Sequence, residues 1–282
     1  MSQILKTGKR PATYDPRDLR WSSIKAGIIL PTIPSPHGGY GTDFGPGPSG
    51  WGMLGNGPCD DGSITDQSSY AYNGGGNCAW AGPGHEHMEL DKNAKRSVAK
   101  FTCLNILNQY AQYLGLKDAT ELNANNDQGS DVREVFLKRQ NPGLLDVNGN
   151  AHKVGVFVAL EPTNLTDLWE ALYLFENVGI GINFPTSAMD QFNSGQPWSV
   201  VNGAQIEGGH YIPLVGHPST NTWTCVTWGQ RQTMTPQFLT TYCDEAWAYI
   251  TPERYNAVTG QTLEHWKDAD LERYISLVGQ AA

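Results

Sequence analysis

The sequence predicts an α+β fold, on two observations. Apolar residues recur at helical spacing between a glycine-rich segment near residue 75 and Gly115, and strand-like runs dominate after residue 150. A third observation, a Pro/Gly-rich N-terminal stretch, predicts an extended arm in front of that body.

The arm covers residues 1–54. Leu30-Pro-Thr-Ile-Pro-Ser-Pro and Gly45-Pro-Gly-Pro-Ser-Gly cannot sustain long helices or central strands, while Trp21, Trp51 and Met53 offer apolar anchors. The glycine run before Asn77-Cys78-Ala-Trp-Ala leads into the start of a helix. From about Asp91 to Leu116, Val98, Phe101, Leu107, Ala111 and Leu114 predict one long helix that Gly115 ends. Asp131-Val-Arg-Glu134 has a capping-box pattern, and Asn141-Pro-Gly closes the helix it opens. Beyond it, 153–159 reads as a strand, 165–177 as a helix, and 178–184, 211–216, 222–228 and 246–250 as strands. The tail, 253–282, carries an amphipathic helix with Leu263, Trp266, Leu271, Tyr274, Ile275 and Val278 on one stripe, suited to docking on the body or on an assembly partner.

Composition narrows the function. At 282 residues with 39% hydrophobic and 17% charged, the chain can bury a full core. A formal charge of −9 and no long basic cluster exclude a phosphate-tracking surface, so nucleic acid is not an expected partner. No apolar run approaches the roughly 18 residues of a spanning helix, and the basic N-terminus has no apolar stretch behind it; the expectation is a cytoplasmic protein without a membrane. The odd set Cys59, Cys78, Cys103, Cys225 and Cys243 does not read as a disulfide framework or a zinc knuckle, and Cys103 and Cys225 read as small buried hydrophobes.

Cys78 and His210 carry the chemistry. A thiol at a helix N-terminus has its thiolate favoured by unpaired amides and the helix dipole. Its base is brought to it by the fold, and His210, in Gly-Gly-His-Tyr-Ile-Pro-Leu-Val-Gly, stands at the entry to a strand. The pair His85-Glu-His87 has the wrong spacing for one helix face and no third ligand nearby in sequence, so no metal or other cofactor is expected. His85 lies two turns beyond Cys78 on the same face and reads as a lining residue. His217 reads as a surface imidazole at a strand end. Asp244 or Glu245 reaches a histidine only if its loop folds back.

His210-Tyr-Ile-Pro-Leu-Val-Gly216 followed by Trp223-Thr-Cys-Val-Thr-Trp-Gly229, together with Cys78-Ala-Trp-Ala, resembles the base strand, the Asn-Ser-Trp-Gly motif and the nucleophile helix of papain-like cysteine peptidases. Trp51-Gly-Met-Leu-Gly-Asn56 and Tyr242-Cys-Asp-Glu-Ala look more narrowly like a divergent group encoded by bacteriophages. The resemblance covers about residues 55–252 and implies a two-lobe fold: a helical lobe over 55–150 with the nucleophile helix, and an antiparallel, barrel-like β lobe over 151–252 with the base. It implies Cys78 as nucleophile, His210 as base, and either Gln67 or Asn56 as oxyanion donor. Trp80 and Trp228 would shield the cleft. Val226 stands where the family has its histidine-orienting Asn, and Thr227, one residue on, points to the other strand face. Hydrolysis of peptide bonds in a protein substrate is the implied function. Two alternatives accompany it: a catalytically weak or inactive structural subunit, for example of a virion, held by its arm and tail, and acyl transfer to or from glutamine side chains.

Overall fold

The computed structural model describes residues 7–27, 30, 32–33, 75–254 and 259. Asn56, Gln67, Trp51, Met53 and the amphipathic tail lie outside the described residues.

Three helices build one half of the molecule: α2 (Cys78–Asn93), α3 (Cys103–Tyr113) and α4 (Val132–Gln140). The expected helix over 91–116 is two pieces. Lys95 takes a left-handed φ of 55°, and the chain re-enters helix at α3 only where Thr102 accepts the Asn105 N–H. Gly115, at φ +82°, ends α3 as its position predicts. The cap on α4 is formed as read, with Asp131 accepting the Glu134 N–H at 2.8 Å.

The other half is a six-stranded sheet in the order β3-β8-β4-β5-β6-β7. Its strands are β3 (Val156–Leu160), β4 (Val178–Pro185), β5 (Ile206–Ser219), β6 (Thr222–Thr227), β7 (Gln230–Met234) and β8 (Cys243–Ile250), all paired antiparallel. A small hairpin, β1 (Leu144–Leu145) with β2 (Ala151–His152), stands apart. The sheet buries both faces. Alternation along β5 sends Ile212 and Leu214 towards α5 (Leu165–Phe175) and α7 (Pro236–Tyr242), and Tyr211 and Val215 towards α2 and α3. Gly82 is what lets α2 press on β5, because a Cβ there would meet the Tyr211 ring. A short helix α6 (Thr186–Asn193) follows β4.

Residues 7–27 lie along this body. Arg133 grips Asp18 at 2.7 Å, Thr13 donates to Asp131 at 2.6 Å, and α1 (Trp21–Gly27) sets the Trp21 ring edge-on to Phe175. Two readings of single residues are corrected. Cys103 is disulfide-bonded rather than a plain apolar filler. His217 is buried, not on the surface, because its ring stacks on Trp223 at 3.9 Å and Nδ1 meets the Thr222 carbonyl oxygen at 2.9 Å.

Candidate active site

The glycine run ends where α2 begins, and Cys78 is the first residue of that helix. His210 sits near the start of β5, paired with Ile182 of β4. Both residues line one pocket together with Ala81, Gly82, His85, Tyr211, Val226, Thr227 and Trp228. Its volume of about 10 Å³ is no more than one water needs.

The imidazole is held on two sides. Its Nε2 lies 2.8 Å from the Thr227 hydroxyl oxygen, and its plane stacks on Trp228 with centroids 4.5 Å apart and 13° between the rings. Nδ1 has no hydrogen-bond partner among the described residues. The expectation that Thr227 faces away is corrected by the register. Leu214 pairs with Cys225, so Cys225 and Thr227 share the face of β6 that meets Ile212 and His210, and Val226 takes the opposite one, against the Cys78 core. Trp228, at φ 45°, then turns the chain and lays its ring over the imidazole. Trp80 is not in this pocket. It donates to Ser130 Oγ at 3.1 Å and lines a separate surface pocket of about 200 Å³ with Tyr113 and Lys138.

The sulfur of Cys78 accepts the Tyr211 N–H at 3.4 Å rather than meeting His210. Burial pushes its thiol up to about 11, against the backbone N–H groups of Tyr211, Gly8 and Ala79 and the charge of Lys9, which favour the thiolate. Burial alone brings His210 down to about 3. Both shifts favour the neutral thiol and the neutral imidazole over a thiolate–imidazolium pair in this arrangement.

A segment that sequence reasoning left as part of the arm accounts for that burial. Residues 8–10 run between the two halves as a short strand. The N–H groups of Gly8 and Lys9 donate to the Gly209 carbonyl at 3.0 and 2.8 Å, while Ser130 N–H donates to Gly8 O and Arg10 N–H to Ser130 O, both at 2.8 Å. The strand fits because glycines face it: a Cβ at Gly129, Gly208 or Gly209 would run into Gly8, Thr7 or Lys9, and one at Gly76 would press on Gly8 at 3.0 Å. Lys9 then turns inward. Its fully buried side chain crosses Gly181, where a Cβ would strike it, and its Nζ sits 2.9 Å from Asp244 Oδ2 and 3.1 Å from Glu245 Oε1. Burial works against the lysine charge, but the two carboxylates prevail and hold its pKa above the ordinary value. Asp244 and Glu245 thus hold a lysine, not a histidine.

No third ligand stands near the His85-Glu-His87 stretch in sequence, but the fold brings two candidates to His87. His152 and Glu253, from distant parts of the chain, join it, with one ligand atom from each within 4.8 Å of the others. His85, one residue pair earlier, lines the Cys78 pocket as its spacing predicts.

No protein-family model matches the sequence, and no curated protein is recognisably similar to it. Solved structures are similar in fold. Xylellain, a cysteine protease from Xylella fastidiosa, superposes with a TM-score of 0.59 at 14% identity, covering 89% of this chain and 98% of its own. A procathepsin B from Trypanosoma congolense gives a TM-score of 0.46 at 10% identity over 87% of this chain and 86% of its own. Helices packed on both faces of an antiparallel sheet, with Cys78 and His210 lining one pocket where the two halves join, thus make up a two-lobe α+β fold of the papain-like kind.

Proposed function

We propose that the chain is a thiol peptidase held closed by its own N-terminal strand. One observation carries the reading: Cys78, at a helix N-terminus, and His210, oriented by Thr227, line the same pocket. In the working state Thr227 Oγ accepts the Nε2–H of His210, leaving the Nδ1 lone pair to take the Cys78 proton. The thiolate attacks a peptide carbonyl, the C–N bond breaks as the imidazolium returns its proton to the leaving amine, and water hydrolyses the thioester. Oxyanion donation by Gln67 or Asn56 remains part of this proposal.

The strand at residues 8–10 marks where a substrate backbone would lie, and Lys9 marks a side-chain pocket. Asp244 and Glu245, beside Gly181, are suited to a basic residue close to the bond cut. Peptides bearing Lys or Arg are therefore the proposed substrate class. The disulfide at Cys103 favours action in an oxidising compartment over the cytosol.

The raised thiol and the missing sulfur–imidazole contact favour a second reading, a papain-like fold kept as a non-catalytic subunit. Full-length protein carrying Gly8→Ala and Lys9→Ala, which loosen the strand, separates the two when given a peptide library. New amino termini after sites near Lys or Arg, absent from a Cys78→Ala control, support the peptidase. Release of ammonia without chain cleavage points to glutamine chemistry, and no Cys78-dependent product supports the subunit.

A further inference from the structure

Nine residues beyond Cys78, about 14 Å along α2, a second cluster stands away from the cleft. His87 is completely buried, and neither of its ring nitrogens has a hydrogen-bond partner among the described residues. Its Nδ1 lies 3.9 Å from Glu253 Oε2, and its ring centroid is 5.2 Å from that of His152. His152 comes from β2, and Glu253 from the 3₁₀ turn Pro252–Arg254 after β8. His152 Nδ1 meets Glu253 Oε1 at 2.8 Å, while Nε2 has no hydrogen-bond partner among the described residues and stands 3.6 Å from Asp146 Oδ2. Phe101 packs against both imidazoles.

We propose that His87, His152 and Glu253 form a binding site for a divalent transition metal, with Zn²⁺ the ion they suit best. Two imidazoles and a carboxylate are a donor set for zinc, whose bonds of about 2.0–2.2 Å bring tetrahedral neighbours to roughly 3.4 Å of one another. Ligand atoms within 4.8 Å therefore close on an ion by moving about an ångström. The bland account of the cluster is a histidine–glutamate pair beside a packed ring. It explains His152 and Glu253, and it leaves two polar atoms of a fully buried imidazole desolvated with nothing returned by the protein.

The neighbours fit an outer shell. Asp146 is tied to the backbone N–H groups of Asn148 and Asn150, and Asp91 to that of Ala99, so both are engaged and supply charge rather than bonds. The fourth position falls to water. The three ligands come from a helix, a two-residue strand and a chain segment after the last strand. The ion would staple these to α2 and so steady the helix that carries Cys78.

The test uses metal-free full-length protein with Cys78→Ala, so that the cleft thiol cannot compete. Titration with Zn²⁺ should bind one equivalent and raise the thermal midpoint. Co²⁺ should give a visible spectrum of nitrogen and oxygen ligation. His152→Gln, at a half-buried position, and Glu253→Gln, at a buried one, both checked for fold by circular dichroism, should each weaken binding by more than the roughly 10–100-fold that loss of an outer-shell partner costs. No uptake, uptake indifferent to both substitutions, or a sulfur-to-cobalt charge-transfer band would each overturn the proposal.

Discussion

The hydroxyl of Thr227 lies 2.8 Å from Nε2 of His210, so a threonine, not an asparagine, fixes the plane of the imidazole. Thr227 is buried, and valine copies its shape without the hydroxyl. Thr227→Val should lower kcat/KM on a basic peptide by roughly 10–100-fold, about 1.4–2.7 kcal/mol of transition-state stabilisation, with Thr227→Ser close to the parent. Steady-state kinetics across pH would check it. An unchanged pH profile and rate in Thr227→Val would mean that Trp228 stacking alone orients the ring.

Gly8 governs access to Cys78. Its N–H is among the groups that face the sulfur, and a Cβ on it would collide with the Gly76 carbonyl. Gly8→Ala should displace the strand, rehydrate the thiol and lower its pKa from about 11 towards the ordinary range. Alkylation by iodoacetamide at neutral pH should accelerate by about tenfold for each unit of that fall, since the thiolate is the reacting species. Equal labelling rates in parent and variant would show that the strand does not gate the sulfur.

Within the helical half, Arg139 of α4 reaches Glu86 of α2 at 2.8 Å, both fully buried, with Tyr211 of the sheet donating to the other carboxylate oxygen at 2.6 Å. The guanidinium also lies over Phe136 and Tyr249 at 4.8 and 4.4 Å. Arg139→Met keeps the stacking volume but strands the Glu86 charge, so it should cost about 3–5 kcal/mol in urea denaturation. Adding Glu86→Gln should recover part of that loss. If the double variant is as unstable as the sum of the singles, the pair is not coupled in this way.

What the sequence shows and hides follows from range. The Asp131–Glu134 cap and the helix beginning at Leu165 were legible because each is specified by residues a few positions apart. So was Cys78 at a helix start, because a glycine run announces it. The break at Lys95 was not, since Ala94 to Phe101 carries apolar residues that keep helical spacing across a loop. Helices α6 and α7 and strand β7 are short and weakly patterned, and packing on the sheet decides them. Thr227 needed the register of β6 on β5, and the strand at residues 8–10 needed the gaps left by Gly76, Gly129, Gly208 and Gly209, neither of which is a local property. His87 found its companions from β2 and from beyond β8, distances that no spacing rule spans.

Glu89 sets a pH dependence of opposite sign to the usual carboxylate. It is fully buried on α2, and its Oε2 accepts from the Asn177 amide at 3.4 Å. Burial, with the charges of Glu176 and Glu86 adding to it, raises its pKa well above the ordinary value, so the native state keeps a proton there that the unfolded chain releases. Holding that proton is free below the unfolded pKa near 4.5 and costs progressively more as pH rises, by about 1.4 kcal/mol per unit until the folded pKa is reached. Glu89→Gln removes the cost while keeping the shape. The variant should therefore match the parent near pH 4.5 and gain on it as pH rises above that, as read from urea midpoints at fixed m-value. A gap between the two that stays constant with pH would mean that Glu89 is ionised in the native protein.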